Sequence, residues 1–193
     1  GDSLLFWGTG DPSFLHSKLD NGKVFNFLKN SPKKLFYVPA ADLEEPFYRH
    51  GWSMEDYDEY YQPEISSFPI YGNVATFRKK DAVLQVLPSV FQKDIQYRPN
   101  GASEFKLSRA MDSNVFYVNS KNTPANYVNE KPFKVSDELL VALLADTLQQ
   151  PVSLVHYTKP TQTQTLYSVH SRELLREMML PSDNFLAEQL NML

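Results

Sequence analysis

The decapeptide Pro181-Ser182-Asp183-Asn184-Phe185-Leu186-Ala187-Glu188-Gln189-Leu190 carries the most specific pattern in this chain of 193 residues. Within it, Ser182 supplies a hydroxyl and Asn184 supplies a carboxamide. A hydroxyl can relay a proton towards a leaving amine, and an amide can hold a lysine and a substrate carbonyl. Serine, aspartate and asparagine are also common at helix N-caps and in turns, so Ser182 or Asp183 could simply cap the helix that follows Pro181.

Three other segments accompany this motif along the chain. The apolar stretch Leu4–Trp7 predicts a short buried strand that ends in the turn Gly8-Thr9-Gly10-Asp11-Pro12. The second segment is Gly51-Trp52-Ser53-Met54-Glu55-Asp56, followed closely by Tyr60-Tyr61-Gln62-Pro63-Glu64-Ile65-Ser66-Ser67-Phe68. The third is Ser171-Arg172-Glu173-Leu174-Leu175, which leads into the motif itself.

In order and spacing these segments resemble the class C penicillin-binding proteins, the periplasmic D-alanyl-D-alanine carboxypeptidase/endopeptidase family. Serine enzymes of this kind use the motifs Ser-x-x-Lys, Ser-Asp-Asn and Lys-Thr-Gly. The resemblance implies an α/β (α+β) fold, in which small inserted α/β domains are followed by the first helices of the returning transpeptidase domain. It spans nearly the whole chain, although residues 79–130 contribute little, and Met54 and Gln62 depart from the family pattern.

Two motifs of the family set are missing from the places where the family has them. The sequence contains no Lys-Thr-Gly, and its Ser-x-x-Lys matches begin at Ser31, beside a proline, and at Ser103, among turn residues. A nucleophilic serine needs a helix N-terminus with the lysine one turn on. We therefore expect an inactive internal fragment of a serine-type D-Ala-D-Ala carboxypeptidase/endopeptidase, whose parent acts through an acyl-enzyme. The alternative is a non-catalytic peptidoglycan-binding or scaffolding module.

The resemblance also implies roles for individual residues. Ser182 and Asn184 are the expected catalytic residues, with Asp183 capping the helix. Asp56 is the expected partner of the free amine of the stem-peptide diaminopimelate, because a carboxylate forms a charge-assisted hydrogen bond with a terminal ammonium. The alternative is that Asp56 is one of several acids on a solvated surface. Trp52 and Tyr61 are candidates for the wall of the substrate cleft, with core packing as their alternative.

Patterns along the chain predict its organisation. The polar stretch Lys159–Thr165 predicts a domain boundary. The resemblance implies that residues 1–163 form the inserted α/β region, with a second subdomain within about 75–130, and that residues 164–193 form the helical segment that carries Ser-Asp-Asn. The acidic and aromatic stretch 42–61 predicts a long ordered loop. Hydrophobic periodicity and turn signals predict strands at 4–7, 35–38, 74–78, 83–87, 105–107, 115–118 and from 151, and helices near 24–30, 136–148, 174–179 and 185–190.

The composition bounds the function. A net charge of −4 and a pI near 5.6 argue against a nucleic-acid binder. The chain has no cysteine, and its four histidines lack metal-ligand spacing, so we expect neither a metal nor a cofactor. No apolar run approaches the ~20 residues that span a bilayer.

The expected partners follow from the resemblance. For the parent they are peptidoglycan stem peptides and β-lactams, in the periplasm or cell envelope. Self-association is a further expectation, because the C-terminal helices carry apolar residues that would be exposed in this chain: Leu174, Leu175, Met178, Phe185 and Leu190.

Overall fold

The computed structural model describes residues 1–40, 48, 50–81 and 83–192. Its elements, numbered along the chain, are β1 (Ser3–Phe6), α1 (Lys23–Lys29), β2 (Lys34–Tyr37), β3 (Val74–Lys80), β4 (Val83–Leu87), β5 (Ile95–Tyr97), β6 (Leu107–Arg109), β7 (Phe116–Val118), β8 (Val128–Pro132), α2 (Asp137–Leu148), β9 (Val152–Leu154), α3 (Ser171–Met179) and α4 (Asn184–Leu190). Three small sheets with helices confirm the predicted α/β class.

The chain divides into two compact units. Unit 1 consists of Gly1–Arg49, Ile65–Gly72 and Val135–Leu193, and unit 2 consists of His50–Glu64 and Asn73–Lys134. Helices α3 and α4 thus belong to the same compact unit as the first strand. Compactness and the position of an insertion are different properties, so the division predicted at residue 164 stays a prediction.

Unit 1 is built on a parallel sheet in the order β1-β2-β9. The predicted β-α-β arrangement of β1, α1 and β2 is confirmed, with Ser3 opposite Lys34 and Phe6 opposite Tyr37. Helix α2 begins where the sequence predicts, because the Ser136 hydroxyl accepts a hydrogen bond from the backbone N–H of Leu139 at 3.1 Å. Its apolar stripe of Leu140, Leu143, Leu144 and Leu148 is buried.

Helices α3 and α4 are packed within unit 1. Leu174, Phe185 and Leu186 are buried in one cluster with Leu19, and Leu186 is fully enclosed. The expectation that Leu174 and Phe185 would be exposed is therefore wrong, because the segment after the Gly-x-Gly-Asp-Pro turn covers them. Other apolar side chains of α3 and its end are exposed, namely Leu175, Met179 and Leu180.

Unit 2 contains the two other sheets, in the orders β4-β3-β8 and β5-β7-β6. The hairpin of β3 and β4 is antiparallel, as the alternating pattern predicts. Aromatic rings fill the core, with Phe77 and Phe91 each in edge contact with Phe116 at centroid distances of 4.8 and 5.7 Å. Strand β6 begins two residues later than predicted. Strands β5 and β8 lack clear apolar alternation and were not predicted.

The loop predicted over 42–61 falls partly outside the described residues, which leave out 41–47 and 49. From residue 50 onward it is irregular apart from a single 3-10 turn at Met54–Asp56. Across the described part of the chain, no helix has the length and apolar character that crossing a bilayer requires.

Candidate functional site

The Ser-Asp-Asn motif forms the corner between α3 and α4. The backbone N–H of Asp183 donates to the carbonyl of Met178 at 2.8 Å, and Ser182 lies between them in the left-handed region at φ +58°. A six-residue bond of this kind around a left-handed residue is a Schellman-type helix end. The end of α3 therefore sets the backbone position of Ser182.

Asp183 also begins α4. Its carboxylate accepts a hydrogen bond from the backbone N–H of Leu186 at 2.9 Å, which confirms the predicted cap. The cap occupies the middle residue of the motif. The flanking side chains are an exposed Ser182 and a half-buried Asn184, and neither has a hydrogen-bond partner within the described residues. The corner thus presents one hydroxyl and one carboxamide that are available to a ligand.

A buried glutamine holds α4 in place. The side-chain amide of Gln189 accepts a hydrogen bond from Ser66 N–H at 3.1 Å and donates one to Ser66 C=O at 2.7 Å. Gln189 is fully buried, so breaking this pair would leave buried polar groups unsatisfied. Sequence analysis missed Gln189, because the pairing spans 123 residues and no local pattern announces it.

Ser67, the residue after Ser66, packs against the first turn of the chain. Gly10 N–H donates to the carbonyl of Ser67 at 2.7 Å. A Cβ on Gly8 would lie 2.0 Å from that carbonyl oxygen, so only glycine fits there. Asp11 accepts hydrogen bonds from Ser13 N–H and from the Ser168 hydroxyl, which ties the turn to the residues before α3.

His16 lies near the corner and was not singled out in the sequence. Burial lowers its pKa from 6.5, while the negative charges of Asp183 and Glu177 act in the opposite direction. Its ring also lies against Gly72, since a Cβ built there would be 3.2 Å from His16 Cδ2. Burial therefore favours the neutral form of the imidazole beside the Asp183 cap.

Unit 2 carries the other predicted site residues in the loop Ser53–Glu64. The 3-10 turn Met54–Asp56 begins at Ser53, whose hydroxyl accepts from Glu55 N–H at 3.2 Å. Asp56 and Tyr61 are brought together across this loop. Burial raises the pKa of Tyr61, and the nearby Asp56 carboxylate raises it further through its negative charge. Both side chains are half-buried.

Side-chain bonds close the base of this loop. Gln62 Nε2 donates to the carbonyl of Ser53 at 3.0 Å. Asn73 Nδ2 donates to the carbonyl of Glu64 at 2.8 Å, and the Glu64 carboxylate forms an ion pair with Lys134 at 3.0 Å. Trp52 is half-buried immediately before the loop and makes contacts of its own.

The structure therefore places the predicted residues in two groups. Ser182 and Asn184 stand together in unit 1, and Asp56 and Tyr61 stand together in unit 2, with Trp52 in the same unit. Within the described residues, no group of three or more histidines, aspartates and glutamates could hold a metal ion.

Comparison with solved structures identifies the fold. The chain superposes on the crystal structure of penicillin binding protein 4 (dacB) from Haemophilus influenzae with a TM-score of 0.61 and 19% sequence identity. The match covers 98% of this chain and 47% of that chain. A second crystal structure of that protein, complexed with a β-lactam, gives a TM-score of 0.48 and 17% identity over 97% of this chain and 45% of that chain.

No protein-family profile and no curated protein matches this sequence. The first superposition shows that the chain has the fold of a part of a penicillin-binding protein, as the motifs predict. The chain spans about half the length of that protein.

Proposed function

We propose that this chain is the inserted α/β region and the Ser-Asp-Asn element of a serine-type D-Ala-D-Ala carboxypeptidase/endopeptidase that acts on peptidoglycan stem peptides. One observation carries the proposal. Asp183 is engaged in the α4 cap, while Ser182 and Asn184 on either side of it have no partner within the described residues. A motif whose only role was to cap the helix would need the side chain of Asp183 but not those of Ser182 and Asn184.

The proposed chemistry divides between this chain and the rest of the enzyme. A serine of a Ser-x-x-Lys motif, supplied from outside this chain, attacks the D-Ala-D-Ala carbonyl and expels the terminal D-alanine, and water then hydrolyses the acyl-enzyme. Ser182 assists proton transfer near the catalytic lysine. Asn184 binds that lysine and the substrate amide through its carboxamide. β-Lactams would acylate the same serine.

Substrate recognition is assigned to the unit 2 loop. The Asp56 carboxylate is half-buried beside the Tyr61 phenol, and its oxygens can accept hydrogen bonds from a ligand. The ammonium group of a diaminopimelate side chain supplies such a donor and the opposite charge. Trp52 and Tyr61 would then border the bound side chain.

The remaining parts of the proposal concern the whole protein. Residues 1–163 are the inserted region and residues 164–193 belong to the transpeptidase domain, which works in the periplasm or cell envelope. The exposed Leu175, Met179 and Leu180 are the surface on which the rest of that domain would pack. In this chain alone the same surface would favour self-association.

The test is made in the full-length protein with Ser182→Ala and Asn184→Ala. Removing one group that stabilises developing charge costs roughly 100- to 1,000-fold in rate, so we expect losses of this order in kcat/KM and in acylation by a fluorescent penicillin. Ser171→Ala and Asn191→Ala are the matched controls, since they remove the same side-chain types at exposed ends of the same helices.

Losses no larger than those of the controls would show that the motif is only a helix cap. A wild-type full-length protein that forms no adduct with penicillin would favour a non-catalytic peptidoglycan-binding or scaffolding module instead. The isolated chain is expected to form no adduct at all, because it lacks the nucleophile and its lysine.

A further inference from the structure

Arg109, at the end of β6, is the largest fully enclosed side chain among the described residues, with 1% of its surface exposed. Its guanidinium bonds only to carbonyl oxygens within the described residues. Nη1 donates to Ala110 at 2.8 Å, with longer bonds to Met111 and Ser113, and Nη2 donates to Tyr57 at 2.9 Å. Nε is buried without a partner. The arginine thus joins the turn after β6 to the loop that carries Asp56.

Residues 57 and 58 are attached to Arg109 by further contacts. The Tyr57 hydroxyl donates to the backbone carbonyl of Arg109 at 2.8 Å, and the Arg109 N–H donates to the Asp58 carboxylate at 3.0 Å. The guanidinium lies 5.1 Å from the centre of the Tyr57 ring, within the range of a cation–π contact. Three hydrogen bonds and one ring contact therefore hold the two residues that directly follow Asp56.

Lys131 holds the same part of the loop from β8. Its ammonium lies 3.4 Å from the Asp58 carboxylate and 3.8 Å from that of Glu59, and only 6% of the lysine surface is exposed. Two buried cations beside one short loop are expensive to desolvate, and replacing a whole buried ion pair by apolar residues often costs no stability, although removing one partner alone is destabilising. Stability alone therefore does not explain why this loop is held by charged groups.

We infer that Arg109 is a positioning residue for the Asp56 carboxylate, acting through Tyr57 and Asp58 to hold the loop in the conformation that receives a substrate ammonium group. This inference rests on the proposed role of Asp56. A planar guanidinium can bond to the loop and to the turn 110–113 at the same time, whereas a lysine at this position has a single charged head.

The test compares kcat/KM in the full-length protein for two stem-peptide substrates, one with a free side-chain amine and one with that amine acetylated. Tyr57→Phe removes the hydrogen bond to the Arg109 carbonyl and keeps the aromatic ring. Arg109→Lys keeps the positive charge and removes the planar guanidinium with its two Nη donors. Asp56→Asn is the reference variant. Tyr127→Phe is the control, because this half-buried tyrosine of the same unit contacts Phe105 instead of the loop.

For the free-amine substrate we expect Asp56→Asn to lower kcat/KM by roughly 10- to 100-fold and Tyr57→Phe by about 3- to 10-fold, the ranges for charged and neutral hydrogen bonds. The acetylated substrate should respond little to either. Because Tyr57 acts through Asp56, the double variant should be no worse than Asp56→Asn alone. Arg109→Lys should match or exceed Tyr57→Phe, and Tyr127→Phe should leave both substrates unchanged.

Two outcomes would overturn the inference, and only the second would also overturn the proposed role of Asp56. If Asp56→Asn is selective for the free amine but Tyr57→Phe lowers both substrates equally, the Arg109 network is only structural, and the proposed role of Asp56 survives. If Asp56→Asn itself lowers both substrates equally, ammonium recognition by Asp56 fails and the positioning role of Arg109 fails with it. Should Arg109→Lys not fold, Tyr57→Phe decides the question alone.

Discussion

The Ser182–Asn184 corner of unit 1 and the Ser53–Glu64 loop of unit 2 both present candidate site residues. Contacts of different range along the sequence hold the two regions in place. The corner is set by backbone hydrogen bonds and a cap that join residues three to five positions apart. The loop is set by side chains from distant strands, with Arg109 about 50 residues away in sequence.

This difference shows how a site residue can be placed by its own segment or by the surrounding fold. The end of α3 and the cap of α4 are made of local bonds, so they can fix the geometry of the corner without contacts from distant residues. An irregular loop has no repeating backbone bonds of its own, so its side-chain contacts must supply the order. We therefore expect substitutions in the two regions to differ in size and in where their effects are felt.

The two tryptophans allow each unit to be followed separately. Trp7 belongs to unit 1 and Trp52 to unit 2, and the chain has no other tryptophan. In a Trp52→Phe background the fluorescence of Trp7 reports the unfolding of unit 1 by urea. In a Trp7→Phe background the fluorescence of Trp52 reports that of unit 2.

The largest effect is expected where α4 enters the core of unit 1. Leu186→Ala should lower the free energy of unfolding reported by Trp7 by about 2–5 kcal/mol, because Leu186 is fully buried against Leu19 and Leu174. Leu175→Ala is the control on α3, where 45% of the side chain is exposed, and should change it by less than about 0.5 kcal/mol. Equal, small effects would mean that α3 and α4 are not anchored in this chain.

Arg109→Leu should have the next largest effect, and the Trp52 signal should report it. The substitution leaves the carbonyls of Tyr57 and Ala110 without their donor, and we expect a loss of about 2–4 kcal/mol. Arg98→Leu is the matched control, because Arg98 is an exposed arginine stacked over Tyr117 at 3.7 Å. If both arginines cost the same, the loop does not depend on the buried network.

The cap of α4 should be worth less than the buried network of the loop. Asp183→Ala should cost about 1 kcal/mol in the Trp7 signal, the usual value for losing an N-cap. Asp183→Asn should cost little, because asparagine caps about as well as aspartate. A large loss with asparagine would show that the charge of Asp183, rather than its cap bond, stabilises the corner.

The smallest expected effect is the pH dependence contributed by His16. Its pKa is lowered from 6.5 by burial, so the unfolded chain binds a proton more readily than the folded chain. His16 therefore contributes stability that is present above pH 6.5 and is lost as the pH falls towards the lowered pKa. His16→Gln should flatten the pH dependence of the urea midpoint between pH 7.5 and 5 in the Trp7 signal, and a slope equal to that of the wild type would contradict this expectation.

Local patterns were sufficient for much of unit 1 and for the first hairpin of unit 2. The Ser136 cap, the stripe of leucines in α2, the β-α-β order and the β3-β4 hairpin all follow from short-range periodicity and turn residues. Strand β8 was not predicted. It is paired along β3 and contains a buried lysine, whereas a pattern of alternating apolar residues would not place a lysine at a buried position. Short paired strands take their conformation from the neighbour.

The sequence by itself determined the motif, its cap and the residue types at each candidate position, because these depend on spacings of a few residues. Tertiary structure alone decided three contacts: the hydrogen bonds between Gln189 and Ser66, the packing of Leu19 against α3 and α4, and the bonds from Arg109 to the loop that carries Asp56. The physical reason is that a buried polar group must find its partner wherever the folded chain brings one, and that partner can lie more than 100 residues away.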